Sequence, residues 1–271
     1  MRRGENGRTS GVYTPVHEHC EPVFNKVSSS AAILRLVLVL LLSLPAIAAD
    51  TGQKPDFSGF WSVRFEQTPS GQAMIDQLPR DALLINDGGA GELGKDDFAG
   101  LKLSERSLAE VRNYNYKSEL KRENTCIDPS VIYYMQSPFP MEIYHGTEMI
   151  VFKMEYFDMV RIIFTDGRGH PPASAPHTKS GHSIGHWEGD TLVVDTTHIA
   201  AGTIMNNGLM HSDNIHMVER FQLSPDGKTL WATEVYDDRE VFSGLAARYM
   251  AWRRVPGEYI YPYECDPSYG E

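Results

Sequence analysis

The feature that most restricts this chain is a train of short alternating segments between residues 141 and 255, punctuated by tight-turn residues. Met141–His145 and Met149–Tyr156 flank Gly146-Thr147, and Val160–Thr165 follows Phe157-Asp158. His182–Trp187 and Thr191–Thr197 flank Glu188-Gly189-Asp190. His216–Leu223 and Leu230–Asp237 flank Pro225-Asp226-Gly227-Lys228, and Arg248–Val255 comes last. Period-two alternation marks strands with one buried face, and glycine-bearing turns of this length reverse the chain directly. Far upstream, Phe57, Gly59, Trp61, Val63 and Phe65 share one face of a further segment. About nine strands joined mostly to their sequence neighbours predict a mostly β fold, an antiparallel up-and-down barrel.

Between the first strand and the rest lies an irregular or helical insertion, about residues 67–140. Asp87-Gly88-Gly89-Ala90-Gly91 is loop material. Ser104 can cap one peripheral helix over Glu105–Lys121, with Glu105 in the first turn, where the helix dipole favours an anion. Two longer connections, Asp166–Gly181 and Ile199–Asn214, would sit at barrel rims, where binding residues are commonly displayed.

The N-terminus carries the other strong signal. An apolar run from Ala31 to Leu44 ends in Pro45-Ala46-Ile47-Ala48, a small-residue cleavage pattern, with Lys26 and Arg35 supplying positive charge. Arg35 leaves too short an uncharged stretch for a membrane span, which needs about 18 or more apolar residues. Residues 1–48 are therefore expected to be a signal peptide and leader. Residues 49–271 would form a single β-barrel domain, periplasmic or secreted, with no stable membrane anchor after cleavage. Cys20 leaves with the leader, and Cys126 and Cys265 remain. An even number in an oxidising compartment predicts one disulfide. A formal net charge of −11 and the lack of a basic stripe argue against nucleic acid as a partner.

Gly59-x-Trp61 on a first strand resembles the G-x-W of lipocalins, so the expected barrel is lipocalin-like. A second resemblance covers roughly Phe57 to Cys265. It rests on Asp166-Gly167-Arg168-Gly169-His170-Pro171, Gly181-His182-Ser183-Ile184-Gly185-His186-Trp187-Glu188-Gly189-Asp190-Thr191-Leu192-Val193-Val194-Asp195-Thr196, His211-Ser212-Asp213 and Glu219-Arg220-Phe221. A family of secreted bacterial proteins carries these motifs in this order. The resemblance implies export and supports the Cys126–Cys265 pair, but brings no activity with it. The chain departs from the family at Ile127-Asp128-Pro129, where a Gly/Pro-rich stretch is usual.

Residues 155–220 hold nearly all the chemistry-bearing side chains. His182 and His186 are four apart, a zinc spacing on a helix. On a strand the same spacing is about 13 Å, too far for one ion, so neither a metal nor another cofactor is expected. Gly181-His182-Ser183-Ile184-Gly185 lacks the strand-to-helix context of a nucleophile elbow.

Acid–base chemistry remains. His182, Ile184 and His186 share a face, and Asp195 can sit across the hairpin. His170 and His211 can reach in from the long loops, and Glu219 falls on the apolar face of its strand. We expect His170, His182, His211 and Glu219 as catalytic candidates. Arg161, Trp61, Glu155 and His186 are the ligand-binding candidates around one pocket in the barrel mouth. His145, His177 and His198 are expected at the surface. The function implied is binding of a small, partly apolar molecule, with lyase, isomerase or hydratase chemistry. A non-catalytic carrier or sensor is the first alternative and a metal-dependent enzyme the second. An envelope interaction protein without a pocket, its polar residues forming a structural network, is the third.

Overall fold

Every expected strand forms, and the strands close into a ring. The computed structural model describes residue 52 and residues 54–64, 68–85, 93–119 and 121–269. The leader at 1–48, Phe65 and the glycine loop at 87–91 lie outside the described residues.

In chain order the elements are β1 (Gly59–Val63), α1 (Pro69–Ile75), β2 (Ala82–Leu84), β3 (Lys102–Leu103), α2 (Glu105–Asn113), α3 (Val131–Tyr134), β4 (Met141–His145), β5 (Met149–Met154) and β6 (Val160–Phe164). Then come β7 (His182–Glu188), β8 (Thr191–Thr197), β9 (Gly202–Met205), β10 (Leu209–His211), β11 (His216–Leu223), β12 (Thr229–Asp237), β13 (Phe242–Ser243) and β14 (Leu245–Arg254). The barrel runs β1-β4-β5-β6-β7-β8-β11-β12-β14, and β14 pairs back onto β1. β2 adds to the other end of the long β14 as a tenth strand, in parallel.

The barrel is mixed, not wholly antiparallel. An odd ring cannot alternate direction all the way round, so a nine-membered one needs at least one like-directed pair. It falls at β6–β7, which pair in parallel through Ile163–Ser183 and Phe164–Ile184. There the long 165–181 connection returns the chain to its starting end, the kind of crossover a parallel pair requires. The second long connection is itself structured, as the short β9–β10 hairpin.

Alternation decides what enters the barrel. Trp61, Met141, Phe152, Phe221, Leu230 and Trp252 are fully buried. The interior is thus a side-chain core, as in small barrels generally. The single turn α3 packs against it, and its Val131, Ile132 and Tyr134 are buried too. It is fastened by Val131 N–H to Lys179 O (2.8 Å) and by Tyr134 Oη–H to Ser180 Oγ (3.0 Å). Trp61 donates from Nε1 to Phe57 O (2.9 Å), and the Arg254 guanidinium covers its ring at 4.5 Å.

Among the described residues three α-helices form where one was expected. α2 does begin at Ser104, whose Oγ accepts from Ser107 N–H, but it stops at Asn113 and not at Lys121. Tyr114 is extended, and the Asn115 side chain caps a separate short turn at Lys117 N. α1 lies on the outer wall, where Met74 packs with Trp231 and Ala251. Gly71 makes that approach possible, because a Cβ there would stand 2.0 Å from Tyr249 Oη.

Cys126 and Cys265 form a disulfide across 139 residues of sequence. The C-terminal segment it holds is also pinned by its own backbone. Tyr261 N–H donates to Glu155 Oε2 (3.0 Å) and Tyr263 N–H to Asp158 Oδ1 (3.1 Å). No helix among the described residues is long and apolar enough to cross a membrane.

Candidate functional site

Strand parity separates His182 from Arg161 and Glu219. Ser183 pairs with Thr196, and Thr196 with Met217, all buried and facing inward. Their chain neighbours His182, Asp195 and His216 therefore face outward. A single pocket combining His182 with Glu219 is excluded by that one-residue offset. The shared barrel-mouth site expected from sequence is accordingly two sites, one inside and one outside.

The interior site is a transverse row of charge. Arg161 and Glu219 form a bidentate pair, and Arg161 also donates from Nε to Ser183 Oγ (3.1 Å) and from Nη2 to Thr196 Oγ1 (2.9 Å). Glu219 stands directly across from Glu234, and Glu234 directly across from Arg248. All four are buried. Burial, then the neighbouring Glu219 carboxylate, push the Glu234 carboxyl well above its ordinary 4.5. Tyr236 Oη–H donates to Glu234 Oε2. Arg248 donates to Ile204 O (2.7 Å) and Ile132 O (3.4 Å), tying α3 to the row. Burial also raises the Tyr134 phenol, to about 12.

The exterior site is a chain of imidazoles on one carboxylate. The 165–181 connection folds back over β7 and β8 and lays His170 between them. Asp195 Oδ1 lies 2.9 Å from His170 Nε2, and both Asp195 oxygens lie 3.0 Å from His216 Nε2. His170 Nδ1 lies 2.9 Å from His182 Nδ1. An ionised carboxylate only accepts, so both Nε2 atoms carry protons. A neutral His170 then accepts at Nδ1 from His182 Nδ1–H, which leaves the His182 lone pair on Nε2. Phe164 stacks on the His182 ring at 5.4 Å, and the Arg168 guanidinium lies over the Phe164 ring at 3.8 Å.

The two ends of this chain are driven in opposite directions. Burial, with a smaller contribution from His170, lowers His182 below its ordinary 6.5. The hydrogen bond to Asp195 raises His216 above the same value. Asp195 itself is held below 3.8, chiefly by His216.

The remaining candidates stand apart. His211 is buried in β10. It donates from Nδ1 to Ser212 O (3.0 Å), so its Nε2 accepts from Ser130 Oγ–H at 2.6 Å. Burial lowers it to about 4, which leaves it neutral and fastening the start of α3. Glu155 is at the end of β5 and anchors the C-terminal segment. His186 points outward on β7, 3.4 Å from Glu188 Oε1. Trp61 is enclosed in the core. His145, His177 and His198, expected at the surface, are each half-buried. His145 Nδ1 accepts from Phe57 N–H and so anchors the approach to β1.

Sequence reasoning passed over His216 and gave Asp195 only a minor part. The signal was present: His216 opens its strand on the same face as Val218 and Arg220, opposite to that of Met217 and Glu219. Among the described residues, no three His, Cys, Asp or Glu side chains are set to share a metal ion. A scan against protein-family models and a search of curated proteins return no match to this chain.

Proposed function

We propose that this chain is an exported β-barrel protein that performs acid–base chemistry on a small molecule at its outer wall, with His182 as the base and His216 as the acid. One observation carries the reading: a single carboxylate, Asp195, joins two imidazole arms whose ends are pushed apart in proton affinity. Groups separated in this way are how a site holds an acid and a base at one pH. His182 offers an unprotonated Nε2 near neutrality, oriented through His170, and His216 offers a proton. Removal of a proton and delivery of another is the chemistry of lyases, isomerases and hydratases. The interior Arg161–Glu219 pair serves as a clamp across β6, β7, β8 and β11. Export is supported by the apolar leader, by the disulfide and by the likeness to a secreted family.

The test needs no substrate. Long-range proton–nitrogen NMR on histidine-labelled protein reads each tautomer, and His182 should carry its proton on Nδ1 and His170 on Nε2. Diethyl pyrocarbonate with peptide mapping should modify His182, and between pH 7 and pH 5.5 its rate should fall less than that of free N-acetylhistidine, because burial lowers its proton affinity. The opposite tautomers, or a His182 inert at both pH values, would end the proposal.

A further inference from the structure

A groove lies next to the acid end of the network, along the outward face of β11. His216, Val218 and Arg220 lie two residues apart along the outward face of β11, and the facing residues of β12 are Asp237, Val235 and Thr233. After α1 the chain crosses this face, and Gln77, Leu78 and Pro79 form the opposite wall of a groove of about 360 Å³. The floor is Val218, Val235, Thr233 and Arg220. Val218 is also the direct cross-strand partner of Asp195. The groove therefore ends beside the carboxylate that carries the imidazoles, about one strand spacing away.

Its chemistry is asymmetric along its length. Leu78, Pro79, Val218 and Val235 make the middle apolar. Arg220 stands at one end, with Nη2 on Glu188 Oε2 at 2.7 Å. That bond uses one of the five guanidinium N–H donors. The volume falls within the range of small-molecule sites. From Arg220 to His216 the strand covers four residues, about 13 Å.

We propose that this groove binds a small organic acid with an extended apolar body, its carboxylate on Arg220 and its far end beside His216. The proposal rests on the acid–base reading for what happens to the ligand, and not for whether the ligand binds.

The probe is octanoate, with octan-1-ol as the uncharged tail and acetate as the charge without a tail. Calorimetry on the whole protein should show saturable octanoate binding and none for acetate. R220Q should weaken octanoate at least tenfold and bring it level with octan-1-ol. V218D, and independently L78D on the loop wall, should abolish binding while the circular dichroism spectrum is kept. His216 ring resonances should move on titration. Octanoate affinity unchanged in R220Q and in L78D would overturn the proposal. So would a concentration-dependent dimer in sedimentation that L78D dissolves, which would give the groove to a second copy of the chain. H182A should leave octanoate affinity intact. Binding with an inert His182 would therefore defeat the acid–base reading alone, and a reactive His182 without binding would defeat the groove alone.

Discussion

Replacing Arg161 by methionine tests whether the buried charge row is the clamp we take it for. The guanidinium is enclosed and makes hydrogen bonds to Ser183, Thr196 and both oxygens of Glu219. Methionine fills most of the volume but offers no donor. The Glu219 carboxylate is then left buried, without its cation, directly across from Glu234. Breaking a buried ion pair on one side costs about 3–5 kcal/mol, because the surviving charge keeps its desolvation penalty. For a domain of this size each kcal/mol lowers the melting temperature by about 2–4 °C, so a fall of roughly 10 °C is expected. R161M/E219L removes the stranded charge as well and should recover most of the loss, since replacing both partners by apolar groups is often near neutral. Urea unfolding at pH 7 followed by circular dichroism measures both variants. The loss in R161M should be larger at pH 8 than at pH 5, where protonation relieves an unpaired buried carboxylate. An R161M variant within 1 kcal/mol of the parent, or a double variant weaker than the single, would refute the clamp.

Glu234, raised above its ordinary 4.5 by burial and by Glu219, adds stability that is complete below that value and drains as pH climbs through the raised one. E234Q should flatten this slope in urea titrations between pH 5 and pH 8. His216, raised by Asp195, contributes fully below 6.5 and loses its contribution as pH rises through the raised value; Asp195 loses its own as pH falls through a value below 3.8. D195N should therefore return the NMR titration of His216 toward 6.5. Both side chains are more than a third exposed, so it should cost under about 1 kcal/mol in stability. C126S/C265S opens a loop of 139 residues, worth up to about 5 kcal/mol in the chain-entropy model. Hydrogen exchange should then show Tyr261 and Tyr263 amides losing protection before the barrel does.

Much of the barrel was legible because each strand announces itself locally. In His216–Leu223 the apolar positions Met217, Phe221 and Leu223 mark one face, and Pro225-Asp226-Gly227-Lys228 marks the reversal that follows. Glu219 was placed inward by the same alternation, and it is there. The error lay in treating His182 as a companion of that face. Its neighbour Ser183 is the inward residue, and one step along a strand turns a side chain through the sheet. Helix content was underestimated because α3 is a single turn held by Lys179, Ser180 and Arg248, not by a pattern of its own. His211 drew attention as a loop histidine, but its partner Ser130 is 81 residues away in sequence and no local signal links them.

The amino-acid order alone determined the nine strands of the barrel, the reversals that join most neighbours and the pairing of two cysteines, because alternation, turn chemistry and parity are properties of short stretches. Only the tertiary structure decided that nine strands close with one parallel pair and that His170 folds over β7–β8 to meet His182 and Asp195. It alone set the acidic end of that chain beside a groove walled by residues 77–79. These depend on ring closure and on where long connections land, and contacts between residues dozens of positions apart leave no mark in the local spacing of either.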